Sequence, residues 1–199
     1  RLLIRQRRLN DAVLMAGGIA RSYPNNSTVR AEYARLLVLN NRPNDAIEEA
    51  RQVLRQDERN VLAKLAVAEA YRAQGRNDLA LYIVNDLING SDPNHPNNGP
   101  GANNAQVHHL RAMLQIEVER NVPAAITSLQ RAVEIDPQYA EARNNLGVQY
   151  LATGNYQQAM EQLSAAAALS PSWAKVHLNL GDAMRATGQF DQALSEFQR

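Results

Sequence analysis

The sequence predicts an all-α fold, an α-α superhelix in which antiparallel helix pairs stack at a constant repeat of 34 residues. Three motifs each return after that interval: Leu146-Gly147 at Leu180-Gly181, Ala125 at Ala159 and Ala193, and Pro137 at Pro171. A fixed period of this length is typical of a solenoid built from two-helix units. The recurring residues are small or apolar and fall at helical spacing in two runs per repeat, so they predict the helix faces that pack together.

The period predicts a single solenoid over residues 1–199 and assigns almost every residue to a repeat. Complete repeats are expected at 27–60, 61–94, 106–139 and 140–173, with partial repeats at 1–26 and 174–199. Residues 95–105 fall outside the period and are rich in glycine, proline and asparagine, which predicts an inserted loop. Two interpretations of this loop remain open: a surface connection between helices, or a segment that contacts a partner.

Turn residues predict where the helices end. Gly75, Gly154 and Gly188 occupy the same place in three repeats, where a helix terminus favours a residue that tolerates positive φ. Proline at 137 and 171 disfavours helix in the residue before it. We therefore expect helix pairs near 27–40/43–56, 61–74/77–89, 105–119/122–135, 140–153/156–169 and 174–187/190–199, after one incomplete pair.

These recurring residues resemble the tetratricopeptide repeat (TPR) family, most closely over 106–199. The resemblance implies a right-handed superhelix whose first helices line a concave groove. It also implies that the groove binds a protein or peptide partner, with no catalysis and no cofactor. Such arrays in bacteria commonly belong to multiprotein assemblies.

Composition limits the other classes of function. The net charge is +1, from 21 basic and 20 acidic side chains, so no global attraction to nucleic acid is expected. The chain has no cysteine, which excludes disulfides, thiol catalysis and thiolate metal sites. No apolar run approaches the roughly 20 residues that span a bilayer. The basic residues are almost all arginine, which suggests a bacterial source; the compartment stays open between cytoplasm and periplasm.

The first residues carry a local excess of arginine. Arg1, Arg5 and Arg8 share one face of a helix at i, i+4 and i+7. A phosphate-binding stripe would require aromatic residues for stacking or further arginines, and the sequence has neither there. We therefore interpret these side chains as a solvated helix face and expect no nucleic-acid partner.

No set of residues predicts an active site or a metal site. His109 and His177 occupy the same fourth position of their repeats, and we expect both to pack between helices rather than to bind a metal. His108 and His109 are adjacent, so on a helix they point about 100° apart and would not readily share a metal ion. The sequence therefore favours a protein that is not an enzyme.

The sixth positions of the last three repeats predict a binding surface. They hold Arg111, Asn145 and Asn179, and Asn144 precedes the first asparagine. The asparagines resemble the ladder of O-linked N-acetylglucosamine transferase superhelices, in which amides hold a peptide backbone. An amide donates and accepts hydrogen bonds together, so it can do this without selecting side chains. The other interpretation is that both asparagines follow the family pattern and bind nothing.

The remaining groove positions predict how the ligand's side chains would be bound. We expect Arg111 and Lys175 to pair with carboxylates, and Leu110, Leu114 and Val148 to contact apolar side chains. The leading hypothesis is a scaffold that holds an extended or helical partner segment in its concave groove, within a multiprotein assembly. The alternative is an accessory TPR region of a larger enzyme or of a bacterial machine for secretion, pili, motility or exopolysaccharide export. A third is self-association through the uncapped apolar end at 190–197.

Overall fold

The computed structural model describes residues 8–90 and 97–199. Within these ranges it contains eleven α-helices and no strand, which confirms the all-α prediction. Arg1 and Arg5 lie outside the described residues, so the predicted arginine face stays a prediction. In chain order, the helices are α1 Leu9–Ser22, α2 Ser27–Leu39, α3 Pro43–Leu54, α4 Val61–Ala73, α5 Asn77–Asn89, α6 Ala105–Leu114, α7 Val122–Ile135, α8 Ala140–Ala152, α9 Tyr156–Leu169, α10 Ala174–Ala186 and α11 Phe190–Phe197.

The helices form two compact units, Arg1–Asn103 and Asn104–Arg199. The first unit contains α1 to α5 and the second contains α6 to α11. Within each unit, every first helix of a repeat packs against its own second helix. The core between the helices consists of apolar residues, many of them alanine. Ala125, Ala159 and Leu163 are fully buried in the second unit, as their recurrence in the sequence predicts. The single solenoid expected over the whole chain stays a prediction.

From residue 27 onward, the first helix of each repeat is followed by one residue in the left-handed backbone conformation. The fifteenth positions all have positive φ: Asn41, Gly75, Arg120, Gly154 and Gly188. In the repeat 61–94, for example, the N–H of Arg76 then donates to the carbonyl of Tyr71 over 2.8 Å, which satisfies one of the last helical acceptors. The glycines predicted this turn in three repeats, and the backbone keeps it where asparagine or arginine replaces glycine.

Arg120 is the most strained of these residues. Its φ is 49°, a backbone conformation that glycine and asparagine tolerate and that most other residues disfavour. We expect Arg120→Gly to raise the free energy of unfolding by about 1 kcal/mol. Asn41→Gly is the matched control, and its gain should be smaller because asparagine tolerates this region. Urea unfolding followed by circular dichroism measures both changes, and an equal gain at the two sites would contradict the assignment of strain to Arg120.

The repeat 106–139 departs from regular α-helix before this turn. A π-helical segment, Gln115–Glu119, follows α6 directly. The N–H of Asn121 donates to the carbonyl of Gln115 over 3.0 Å, and the buried Gln115 side chain accepts a hydrogen bond from Ser128 Oγ at 2.8 Å. Segments of this kind often mark functional sites. Nothing in the sequence pattern predicted it.

A basic residue at the fourth position ties the two helices together in four repeats. Each one is hydrogen-bonded to an acidic or amide side chain of its own second helix, in the pairs Arg30–Glu49, Lys64–Asp86, Arg143–Gln162 and His177–Glu196. Arg143 and His177 also donate to the carbonyls of Pro137 and Pro171, at 2.7 and 2.9 Å. His177 is only 3% exposed, so it packs between helices as predicted, but through hydrogen bonds.

From residue 97 onward, the inserted loop folds back onto the end of α5. Its described part begins at residue 97 and brings the N–H groups of Gly99 and Gly101 to the carbonyls of Ile88 and Leu87, each at 2.8 Å. The last carbonyls of a helix have no partner inside the helix and need donors from outside it. This part of the loop therefore caps its own helix, which supports the interpretation as a structural connection.

Candidate functional site

The predicted binding residues lie on the first helices α6, α8 and α10 of the second unit. Asn179 of α10 donates from Nδ2 to Asn144 Oδ1 of α8 at 2.8 Å. Asn144 donates in turn from Nδ2 to Asn145 Oδ1 at 3.2 Å. Asn145 Nδ2 lies 2.7 Å from Nε2 of His109 on α6. Four side chains therefore form one hydrogen-bonded chain across three successive first helices, which we call the amide chain.

The chemistry of the amide nitrogen gives the chain a direction. Because Asn145 Nδ2 can only donate, Nε2 of His109 must accept, and the neutral ring then carries its proton on Nδ1. His109 Nδ1 faces the hydroxyl of Tyr139 at 3.0 Å, and the two rings meet edge to face at 5.1 Å. The ring of His109 is therefore oriented from both sides, and the side chain of Asn145 is held in one position.

His109 reaches this position because its own repeat lacks the usual acidic or amide residue. At the places where the other repeats carry Glu49, Asp86, Gln162 or Glu196, the second helix α7 has Ser128 and Arg131. Neither residue carries a carboxylate or an amide. The fourth-position residue of this repeat, His109, therefore contacts Asn145 of the next repeat instead. The sequence places His109 at this position, and the missing acid is the signal that could have predicted its role.

Three of the predicted contact residues lie inside the protein. Asn144 is 1% exposed, Leu114 is fully buried and Leu110 is 4% exposed. Leu110 and Leu114 face the core because the fifth and ninth positions of α6 turn toward neighbouring helices, and Asn144 links Asn145 to Asn179. We therefore keep these three residues out of the proposed contact surface.

The other predicted residues remain accessible to a ligand. Asn145, Asn179, Arg111 and Val148 are partly buried, and Lys175 is exposed. Asn145 uses its nitrogen for His109 and for Met113 Sδ at 3.6 Å, so within this structure its amide is engaged. At the other end of the amide chain, no donor among the described residues reaches Asn179 Oδ1, which leaves a carbonyl acceptor on the helix that also carries Lys175.

Arg111 has an unusual environment for a charged side chain. Its Nε is buried and has no hydrogen-bond partner among the described residues. A buried donor without an acceptor costs about 1–3 kcal/mol, and more when the group is charged.

Neither a metal site nor a membrane span is found in the ranges 8–90 and 97–199. No group of three or more histidine, aspartate or glutamate side chains there could hold a metal ion. None of the helices in those ranges combines the length and the apolarity that crossing a bilayer requires.

Comparisons with known proteins agree with this architecture. Family models described as TPR repeat and tetratricopeptide repeat match residues 34–96, 121–154 and 150–199, which together exceed half of the chain. No protein with a curated description matches.

Solved structures resemble the chain at low sequence identity. TTC0263, a thermophilic TPR protein of Thermus thermophilus, is 19% identical over 92% of this chain and 94% of its own, with a TM-score of 0.71. MamA of Desulfovibrio magneticus RS-1 is 16% identical over 87% and 92%, with a TM-score of 0.63. YrrB, described as a TPR protein with an unusual peptide-binding site, is 18% identical over 91% and 88%, with a TM-score of 0.59. These similarities establish the fold.

Proposed function

Since the chain belongs to the tetratricopeptide repeat family, we propose that it is a protein-interaction scaffold without catalytic activity of its own. The partner contributes an extended or helical segment, which lies across the first helices α6, α8 and α10. The peptide-binding site in the description of YrrB supports this class of ligand. The scaffold would work within a multiprotein assembly, such as a bacterial machine for secretion, pili, motility or exopolysaccharide export.

The unsatisfied Nε of Arg111 is the observation that carries the proposal. This donor is buried without an acceptor, on a first helix and in register with Asn145 and Asn179. The side chain as a whole is only partly buried, so a carboxylate of the partner would pair with its guanidinium group, and charge-assisted bonds of this kind are among the stronger ones in proteins. The exposed Lys175 adds a second positive charge to the same unit.

The amide chain has a different role, which is to hold the ligand's backbone at its open end. Asn179 Oδ1 would accept a backbone N–H of the ligand, while the opposite end of the chain is hydrogen-bonded to His109 and, through it, to Tyr139. A side chain that is already oriented loses little conformational entropy on binding, so affinity improves. Val148 supplies a partly buried apolar contact on α8.

A peptide selection tests the proposal. A display library of random 12-residue peptides is panned against the whole chain, and the enriched peptides are measured by calorimetry. We expect the enriched peptides to share an acidic residue and Arg111→Gln to weaken their binding at least tenfold, which corresponds to about 1.4 kcal/mol.

Arg131→Gln is the matched control for that measurement. Arg131 belongs to the same unit but lies on the second helix α7, where it pairs with Glu134 at 3.1 Å. Its replacement should change the affinity by less than about twofold, because exposed pairs contribute little. Equal affinities for the protein with and without Arg111, or a library from which no peptide is enriched, would refute the proposed site.

A further inference from the structure

We infer that a cleft in the first unit binds an oxyanion carried by a partner protein. The cleft lies between α3 and the turn that joins α4 to α5, and its volume is about 270 Å³. It is thus built from other residues than the proposed peptide site on α6, α8 and α10. Its lining combines basic, amide and apolar side chains: Asn44, Ile47, Glu48, Arg51, Tyr71, Gln74 and Arg76.

The cleft carries an excess of positive charge. Among the described residues, neither Arg51 nor Arg76 has a carboxylate within ion-pair distance, although both line the same small volume. The acid of the lining is Glu48, which already lies 3.7 Å from Arg55 in a solvent-exposed pair. Two arginines and one engaged carboxylate give the lining a net positive charge, which a bound anion would neutralise.

The walls of the cleft hold its donors in place. The guanidinium of Arg76 lies 4.7 Å from the ring centroid of Tyr71, a cation–π contact that restricts an otherwise mobile side chain. Gln74 Nε2 donates to Asn44 Oδ1 at 2.8 Å and so joins the end of α4 to the start of α3. Asn44 uses its oxygen in this bond, which leaves its amide nitrogen as a further donor toward an anion.

Size and chemistry together define the ligand. The volume is slightly below the roughly 300–1,000 Å³ of small-molecule sites, so the cleft accommodates one side chain rather than a cofactor. Ile47 and Tyr71 supply apolar surface for the stem of that side chain. Guanidinium groups bind carboxylate and phosphoryl oxygens in a bidentate fashion, so the head group is one of these two oxyanions.

Nuclear magnetic resonance titration of the whole chain tests the site. Inorganic phosphate and N-acetylglutamate are added separately at constant ionic strength, and the side-chain amide signals of Asn44 and Gln74 are followed. We expect saturable shifts for at least one probe. Arg51→Gln and Arg76→Gln should each raise the Kd at least tenfold. Glu48→Gln should lower the Kd about threefold, because it removes a competing carboxylate.

Arg21→Gln is the control, since Arg21 is an exposed arginine of the same unit on α1, outside the cleft. Its replacement should leave the Kd unchanged. Saturation by phosphate alone identifies a phosphoryl group, saturation by N-acetylglutamate alone identifies a carboxylate, and saturation by both identifies the shared chemistry. Shifts that grow linearly without saturation, or a Kd that changes by the same factor in all three arginine variants, would overturn the inference.

Discussion

Replacing Asn144 by alanine is expected to lower the stability of the second unit by about 2–4 kcal/mol, because a buried donor or acceptor left without a partner costs about 1–3 kcal/mol. Asn144 accepts from Asn179 and donates to Asn145, and its side chain is almost completely buried. Alanine removes both hydrogen bonds and leaves a partly buried acceptor on Asn145 and a donor on Asn179. The gap left by the amide adds a packing loss to the hydrogen-bond loss.

Asn179→Ala is the matched control for that result. It removes one hydrogen bond instead of two and leaves only Asn144 Oδ1 unpaired, beside the space vacated at the partly exposed end of the amide chain, so we expect a smaller loss of about 1–2 kcal/mol. Urea unfolding measures the total effect, and hydrogen exchange of α8 and α10 locates it, because repeat arrays need not unfold in a single step. If Asn144→Ala costs no more than Asn179→Ala, the amide chain does not hold these helices together.

Replacing Gly147 by alanine is expected to destabilise the protein by about 1–3 kcal/mol, the usual range for an overpacked core. A Cβ at this position would lie 2.5 Å from Leu163 Cγ and 3.2 Å from the carbonyl oxygen of Ala159. Leu163 is fully buried and cannot move aside without displacing its neighbours. The second-helix backbone at Ala159 closes the other side.

Gly18→Ala provides a control of opposite sign. Gly18 lies inside α1, and a Cβ there would meet no atom within 4 Å. Alanine favours helix over glycine by roughly 0.5–1 kcal/mol, so this variant should gain stability. Unfolding curves of the two single variants should therefore shift in opposite directions, and a shift of Gly147→Ala toward higher stability would contradict the steric argument.

A second substitution tests the origin of the Gly147 effect. The eighth and twenty-fourth positions correspond between repeats: where Gly147 faces Leu163, the repeat 61–94 has Ala68 and Val84. Adding Leu163→Val to Gly147→Ala recreates that combination of sizes. The double variant should be more stable than the sum of the single effects predicts, by roughly 1 kcal/mol of coupling. Strict additivity would show that the two side chains do not compete for space.

Helix positions were predictable because periodic apolar residues recur along the chain and turn glycines agree with them in three repeats. The expected pair 140–153/156–169 is observed as Ala140–Ala152 and Tyr156–Leu169. The π-helical segment Gln115–Glu119 was not predictable, since it depends on how a backbone hydrogen bond is shared and not on the apolar period. A pattern of side-chain types carries no information on that choice.

The candidate site was predictable in its location and less so in its detailed roles. Register placed Arg111, Asn145 and Asn179 on successive first helices, and hydrogen bonds join the two asparagines through Asn144. Burial of Asn144 depends on which side of α8 meets α10, which a repeat number alone does not reveal. The sequence did not predict the hydrogen bond between His109 and Asn145. This bond depends on the lack of an acidic partner for His109 on α7, and a periodic pattern of apolar residues carries no information on that.

The loop that caps α5 has a consequence for anyone who would shorten this protein. Removing the extra residues would restore a uniform period, and nothing in the repeat motif requires them. However, the excised segment includes Gly99 and Gly101, which donate to the carbonyls of Ile88 and Leu87. In a shortened chain these two carbonyl oxygens would need new hydrogen-bond donors. Gly99 and Gly101 therefore belong structurally to the preceding repeat, although they lie outside its period.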